Sequence, residues 1–227
     1  MPHYHIDTHE NGSIRGILRD GEPQPESVSL EQLFSIVTLY FKLAGSNLQL
    51  LERADSKPLR RAHGVQAFIM SLTGVEAFTN TYFKLRGQEL GDTRLEERVS
   101  QRHGSLTRKI EQLMAMTPEG SIEDQTRIIG RIHGLSQLRN DLVHPQWEPA
   151  SMTLGGNVPI KIEGLVRNFQ AAFEDALFCR EALMWCLLLV ARVGKARGNA
   201  DLSPFLFHWT GIYGLTEAQI LSELGLA

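Results

Sequence analysis

Apolar residues recur at three- and four-residue intervals along most of this chain, and that period rules out a strand-based core. Leu30, Leu33, Phe34, Val37, Tyr40, Phe41, Ala44, Leu48 and Leu51 mark a first helix, with Ser29 as its cap. Asp55-Ser56-Lys57-Pro58 breaks the pattern, and a second helix runs from about Leu59 to Leu85 along Val65, Phe68, Ile69, Leu72, Val75 and Phe83. A third segment, 92–117, carries Leu95, Val99, Leu106, Ile110, Leu113 and Met114, with Gly104 as a kink or break. Ser121 caps a helix that Pro145 ends, with Glu123 and Asp124 in its first turn, as the helix dipole favours. The most apolar helix runs from about Glu163 to Val193.

Four long helices, the third segment apart, joined mostly by short loops and with very little strand, predict an all-α fold: an antiparallel up-and-down helical bundle. Outside it, Tyr4-His5-Ile6-Asp7 and Ser13 to Leu18 flank Glu10-Asn11-Gly12 as a hairpin. Met152 to Ile162 around Gly155-Gly156-Asn157 reads as another small hairpin, with Pro159 confining its second arm to an edge. The expected organisation is an N-terminal extension over 1–28, the bundle over 29–196 and a tail over 197–227. That tail is a loop followed by a short helix capped by Thr216.

The run from Ala182 to Ala191 is too short to span a bilayer, and MPHYHIDTHENGS lacks the apolar core of a signal peptide. A soluble, cytoplasmic protein with no membrane contact is expected. Cys179 and Cys186 lie two turns apart, too far for an intrahelical disulfide, and read as buried thiols. A net charge of −3 argues against non-specific coating of nucleic acid, so any such contact is a local basic site. His3, His5 and His9 read as solvated histidines on a hairpin near a loose terminus, and neither metal nor cofactor is expected.

Two charges stand where helical projection places core. Arg139 falls near the centre of the stripe Ile128, Ile132, Leu135, Leu138 and Leu142, and Glu76 projects into the middle of the second helix's stripe. A guanidinium so placed snorkels out, pairs with a buried acid or faces an anion-binding cleft. The economical reading is that Arg139 and Glu76 meet, with Asn80, one turn on from Glu76, joining them. Asn140 and His144 share a face one turn apart, and Pro145 makes His144 a terminal, accessible position. Arg139, Asn140 and His144 can therefore line one polar site. Arg98, Arg102, His103, Arg108 and Lys109 form a basic set read as a solvated face, with a phosphate-backbone track through Arg102, Arg108 and Lys109 as the alternative.

Arg139-Asn140-Asp141-Leu142-Val143-His144 resembles the R-x4-6-H motif of the HEPN superfamily, in which a polar residue, often Asn, follows the arginine near the end of a bundle helix. Glu76-Ala77-Phe78-Thr79-Asn80 resembles a Glu-Ala-aromatic-x-Asn stretch on an earlier helix of many members, and Leu106-Thr107-Arg108-Lys109-Ile110 resembles their lysine-bearing third helix. The resemblance covers about residues 29 to 196. Arg98 to His103 and Arg127 to His133 also fit the spacing, but an apolar residue follows each arginine and no proline stop follows either histidine.

The resemblance implies a metal-independent endoribonuclease in which the 2′-hydroxyl attacks the adjacent phosphorus and leaves a 2′,3′-cyclic phosphate. His144 would be general acid or base, Arg139 would neutralise the phosphorane, and Asn140 would orient His144 or the phosphate. It also implies a homodimer with two motifs facing each other, and a toxin or phage-defence setting with an antitoxin or a nucleotidyltransferase-type chain as partner. The alternatives are a non-catalytic module that binds RNA, nucleotide or protein through the same cleft, and a structural bundle with a buried Glu76–Arg139 pair.

Overall fold

The computed structural model describes residues 4–8, 14–23, 31–101, 104–143 and 171–226. They divide between two compact units, 1–33 and 34–227.

The first unit holds a three-stranded antiparallel sheet in the order β1 (Tyr4–Thr8), β2 (Ile14–Arg19), β3 (Glu22–Pro23). Tyr4 pairs with Arg19 and Ile6 with Ile17, and the register slips between Asp7 and Thr8. The expected Asn11-Gly12 turn lies outside the described residues. A second hairpin follows at Asp20-Gly21, whose φ angles of 54° and 92° are the left-handed pair that a two-residue turn requires.

The remainder is helical, as the periodicity predicts. α1 (Glu31–Arg53) and α2 (Lys57–Leu90) are separated where Asp55 to Pro58 breaks the pattern, with Pro58 in the first turn of α2. The third segment splits into α3 (Thr93–Ser100) and α4 (Leu106–Ala115), with Gly104 at φ 76° between them. Asp92 and Ser105 cap the two pieces through their side-chain oxygens. The remaining elements are α5 (Gln125–Val143), α6 (Ala176–Ala196), α7 (Ser203–Thr210) and α8 (Glu217–Glu223). The Ser29 cap and the 152–162 hairpin fall outside the described residues.

Three sequence expectations are corrected. α5 begins at Gln125 rather than after Ser121, because Asp124 turns to φ 56° and Glu123 and Asp124 reach across to Arg192 of α6. The long last helix is interrupted at Asp175, whose carboxylate accepts from the Leu177 N–H at 2.8 Å and starts α6 there. The loop expected after residue 197 contains α7, with Pro204 in its first turn and Gly211 just past its end.

α2 and α6 are the elements on which the others pack: α3, α4, α5 and α6 on α2, and α5, α7 and α8 on α6. α6 is buried almost all round, from Cys179 and Ala182 through Leu187 to Val193. Phe41 and Leu51 of α1, Phe68, Leu72, Phe78 and Phe83 of α2, Ile110 and Leu113 of α4 and Ile128 and Ile132 of α5 belong to the same core. Each contributes about 1.5–3 kcal/mol by leaving water. Trp209 of α7 meets Phe78 edge-on at 5.1 Å, so the C-terminal stretch belongs to the same packed unit and not to a separate tail. Among the described residues no helix is long and apolar enough to cross a membrane.

Candidate functional site

The apolar stripe of α5 is fully buried at Ile128 and Ile132 but only partly buried at Leu135, Leu138 and Leu142, so the helix rises towards solvent as it nears its end. Arg139 sits in that last part. Its Nη1 donates to Glu76 Oε2 on α2 at 3.0 Å, and its Nη2 donates to Asn140 Oδ1 at 3.4 Å. The two charges inferred from opposite helix faces do meet. They do not meet in the core: the Arg139 side chain is 23% exposed and that of Glu76 48%. Periodicity puts Glu76 on the packed side of α2, yet its side chain reaches solvent there. A pair so solvated contributes at most about 1 kcal/mol.

One turn beyond Glu76, Asn80 Oδ1 accepts from Lys109 Nζ of α4 at 2.6 Å, and the same ammonium donates to the Val99 carbonyl near the end of α3. Burial holds the Lys109 pKa below its ordinary value, with the Glu76 carboxylate acting in the opposite direction. Lys109 therefore belongs to the polar cluster where α2, α3 and α4 meet, and not to a basic face. Its neighbour Arg108 is exposed, while Arg102 and His103 lie outside the described residues. His144 also lies outside them, so the described part of the site is Glu76, Asn80, Lys109, Arg139 and Asn140. The Arg127-to-His133 spacing is otherwise engaged: Arg127 lies over the Trp185 ring at 5.6 Å, and His133 Nδ1 is 3.3 Å from the Thr107 hydroxyl.

Two features escape the sequence reading. Arg192 of α6 is 4% exposed and contacts Glu123 at 2.7 Å, Asp124 at 3.5 Å and Glu217 of α8 at 2.5 Å. A guanidinium inside the apolar run of α6 is the same signal that singles out Arg139. The second is a partly open cavity of about 470 Å³ lined by Tyr82, Arg86, Glu89, Arg197, His208 and Trp209 among others, none of them a member of the Arg139 cluster. Its cations are already paired, Arg86 with Glu119 at 2.5 Å and Arg197 with Glu89 at 2.9 Å. Burial, followed by the nearby Glu119, pushes the Tyr82 hydroxyl up to about 12, and burial lowers His208. No group of His, Cys, Asp and Glu able to hold a metal ion is present among the described residues. No protein-family model, curated protein or solved structure matches this chain.

Proposed function

We propose that the protein is a metal-independent endoribonuclease of HEPN type, with its long helices arranged as an antiparallel bundle. The observation that carries the reading is the solvent-accessible Arg139, gripped by Glu76 from a second helix and flanked by Asn140 on the last turn of α5. A pair this exposed adds little to stability. Here the contacts to Glu76 and Asn140 orient the guanidinium and leave further N–H groups for a phosphate.

In this proposal His144, just beyond α5, takes the proton of the attacking 2′-hydroxyl or gives one to the departing 5′-oxygen. The O2′–P bond forms and the P–O5′ bond breaks, leaving a 2′,3′-cyclic phosphate. Arg139 stabilises the charge that builds on the non-bridging oxygens. One histidine serves one of these roles at a time, so a homodimer presenting two motifs to one cleft supplies the second. A toxin or phage-defence role with a separate antitoxin-type chain is part of the same proposal.

The test is incubation of purified protein with total RNA in EDTA beside folded Arg139→Ala and His144→Ala variants of unchanged oligomeric state. Cleavage that leaves cyclic-phosphate ends and disappears in both variants supports the reading. Cleavage that survives either substitution, or no cleavage by the wild type of any RNA offered, refutes it.

A further inference from the structure

We infer, resting on the reading of Arg139 as a phosphate-binding group, that Asn80 is the second donor of a phosphodiester subsite and that Lys109 is the positioning residue that aims it. The orientation of an asparagine amide is ordinarily ambiguous, since its oxygen and nitrogen look alike. Here the partner removes the ambiguity. An ammonium has donors only, so the group 2.6 Å from Lys109 Nζ must be the amide oxygen, and the NH2 of Asn80 must face the other way. Lys109 is itself held by the Val99 carbonyl and is half-buried, so its two contacts fix where the ammonium stands.

Asn80 and Glu76 are one turn apart on a single face of α2, so the residue that carries the free NH2 neighbours the one that grips Arg139. Two donor groups, one neutral and one cationic, then flank the same spot. Each can serve one of the two non-bridging oxygens of a phosphodiester. Arg139 and Lys109 set against Glu76 leave a net charge of about +1 on the cluster, which matches one phosphodiester monoanion better than a dianionic phosphate. On the ribonuclease reading the ligand is then an internal linkage of an RNA strand.

The experiment uses the full chain, 15N-labelled, and an uncleavable 2′-O-methyl RNA oligonucleotide, with inorganic phosphate as a separate titrant. The Asn80 side-chain NH2 resonances, identified by their loss in Asn80→Asp, are expected to shift saturably with the oligonucleotide and only weakly with phosphate. Asn80→Asp keeps an acceptor for Lys109 but removes the donor, and should bind the oligonucleotide about tenfold or more weakly with its thermal midpoint kept. Lys109→Met should weaken binding less, and Lys109→Arg should restore part of it. The inference is overturned if the Asn80 resonances stay still at saturating oligonucleotide, if Asn80→Asp binds as the wild type does, or if phosphate binds as tightly as the oligonucleotide. Because the probe cannot be cleaved, Asn80 shifts in a protein that cuts no RNA leave the subsite standing while the ribonuclease reading falls. Cleavage with Asn80 unmoved removes the subsite alone.

Discussion

Arg139 and Glu76 stand 63 residues apart in the chain and 3.0 Å apart in space, each on a helix whose packed positions are mostly apolar. The pair joins the last turns of α5 to the middle of α2, one of the two elements on which most others pack. It holds a guanidinium at the protein surface rather than sealing it in the core. An arginine placed in this way has a fixed direction and an open side, which is the arrangement an anion-binding group needs.

Glu76→Gln keeps the shape of the side chain and removes its charge. Because both members of the pair are part-exposed, the unfolding free energy should change by no more than about 1 kcal/mol. On the proposed ribonuclease reading, RNA cleavage should fall by about tenfold or more, since the guanidinium loses its orientation. Denaturant unfolding and single-turnover cleavage measured on the same preparation check both. A stability loss of about 3 kcal/mol with cleavage unchanged would instead mark the pair as structural.

What the sequence discloses here is what short-range chemistry decides. The three-and-four period places α1, α2 and α5, the Asp55 to Pro58 break and the Gly104 interruption are local, and Thr216 caps α8 as read. The starts of α5 and α6 are not legible in this way. Glu123 and Asp124 suit a first helical turn, but Arg192 and Lys195 draw them away from a distant part of the chain. α7 is too short to display a period, although Pro204 and Gly211 bracket it. In the candidate site, the meeting of Glu76 and Arg139 follows from two opposite charges on apolar faces. Their exposure does not, because periodicity assigns a face and not a depth. Lys109 looks like one cation of a basic set until α2 and α3 bring Asn80 and the Val99 carbonyl to it.

The two thiols should be inert in the folded protein. Burial, followed by the charge of Asp175, pushes Cys179 up to about 12, and burial pushes Cys186 up further, so almost no thiolate exists near neutrality. A colourimetric thiol reagent at neutral pH should find neither group in the native state and both after denaturation. Rapid native labelling would mean that α6 is not packed as described.

Arg192 fastens the chain before α5 and the start of α8 to α6, and its loss should be felt through both. Arg192→Met should cost about 2–4 kcal/mol, below the full penalty of an enclosed pair because Glu123 and Asp124 keep access to water. The same cluster predicts an acid limb. Hydrogen bonding by Lys195, followed by the charge of Arg192, holds the Glu123 carboxyl below its ordinary 4.5. A depressed folded value means that the stabilisation is complete above about pH 4.5 and is lost as pH falls through the folded pKa. Unfolding midpoints followed from pH 7 down to 3 should drop less steeply for Glu123→Gln than for the wild type.

Glycines in two helices make opposite predictions. A Cβ at Gly64 would lie 1.8 Å from the Phe173 carbonyl oxygen, a backbone atom that cannot swing aside. Gly64→Ala should therefore force α2 away from the chain that leads into α6 and cost about 3 kcal/mol or more. On α5, Gly130 and Gly134 are exposed, and a Cβ at either meets nothing within 4 Å. Alanine there removes backbone freedom from the unfolded chain at no steric cost, and each change should add about 0.5–1 kcal/mol. Thermal denaturation of the three variants should place Gly130→Ala and Gly134→Ala above the wild type and Gly64→Ala well below it. A wild-type midpoint for Gly64→Ala would show that α2 and Phe173 do not approach as closely as described, and a loss at Gly130 or Gly134 would show that this face of α5 is covered in solution.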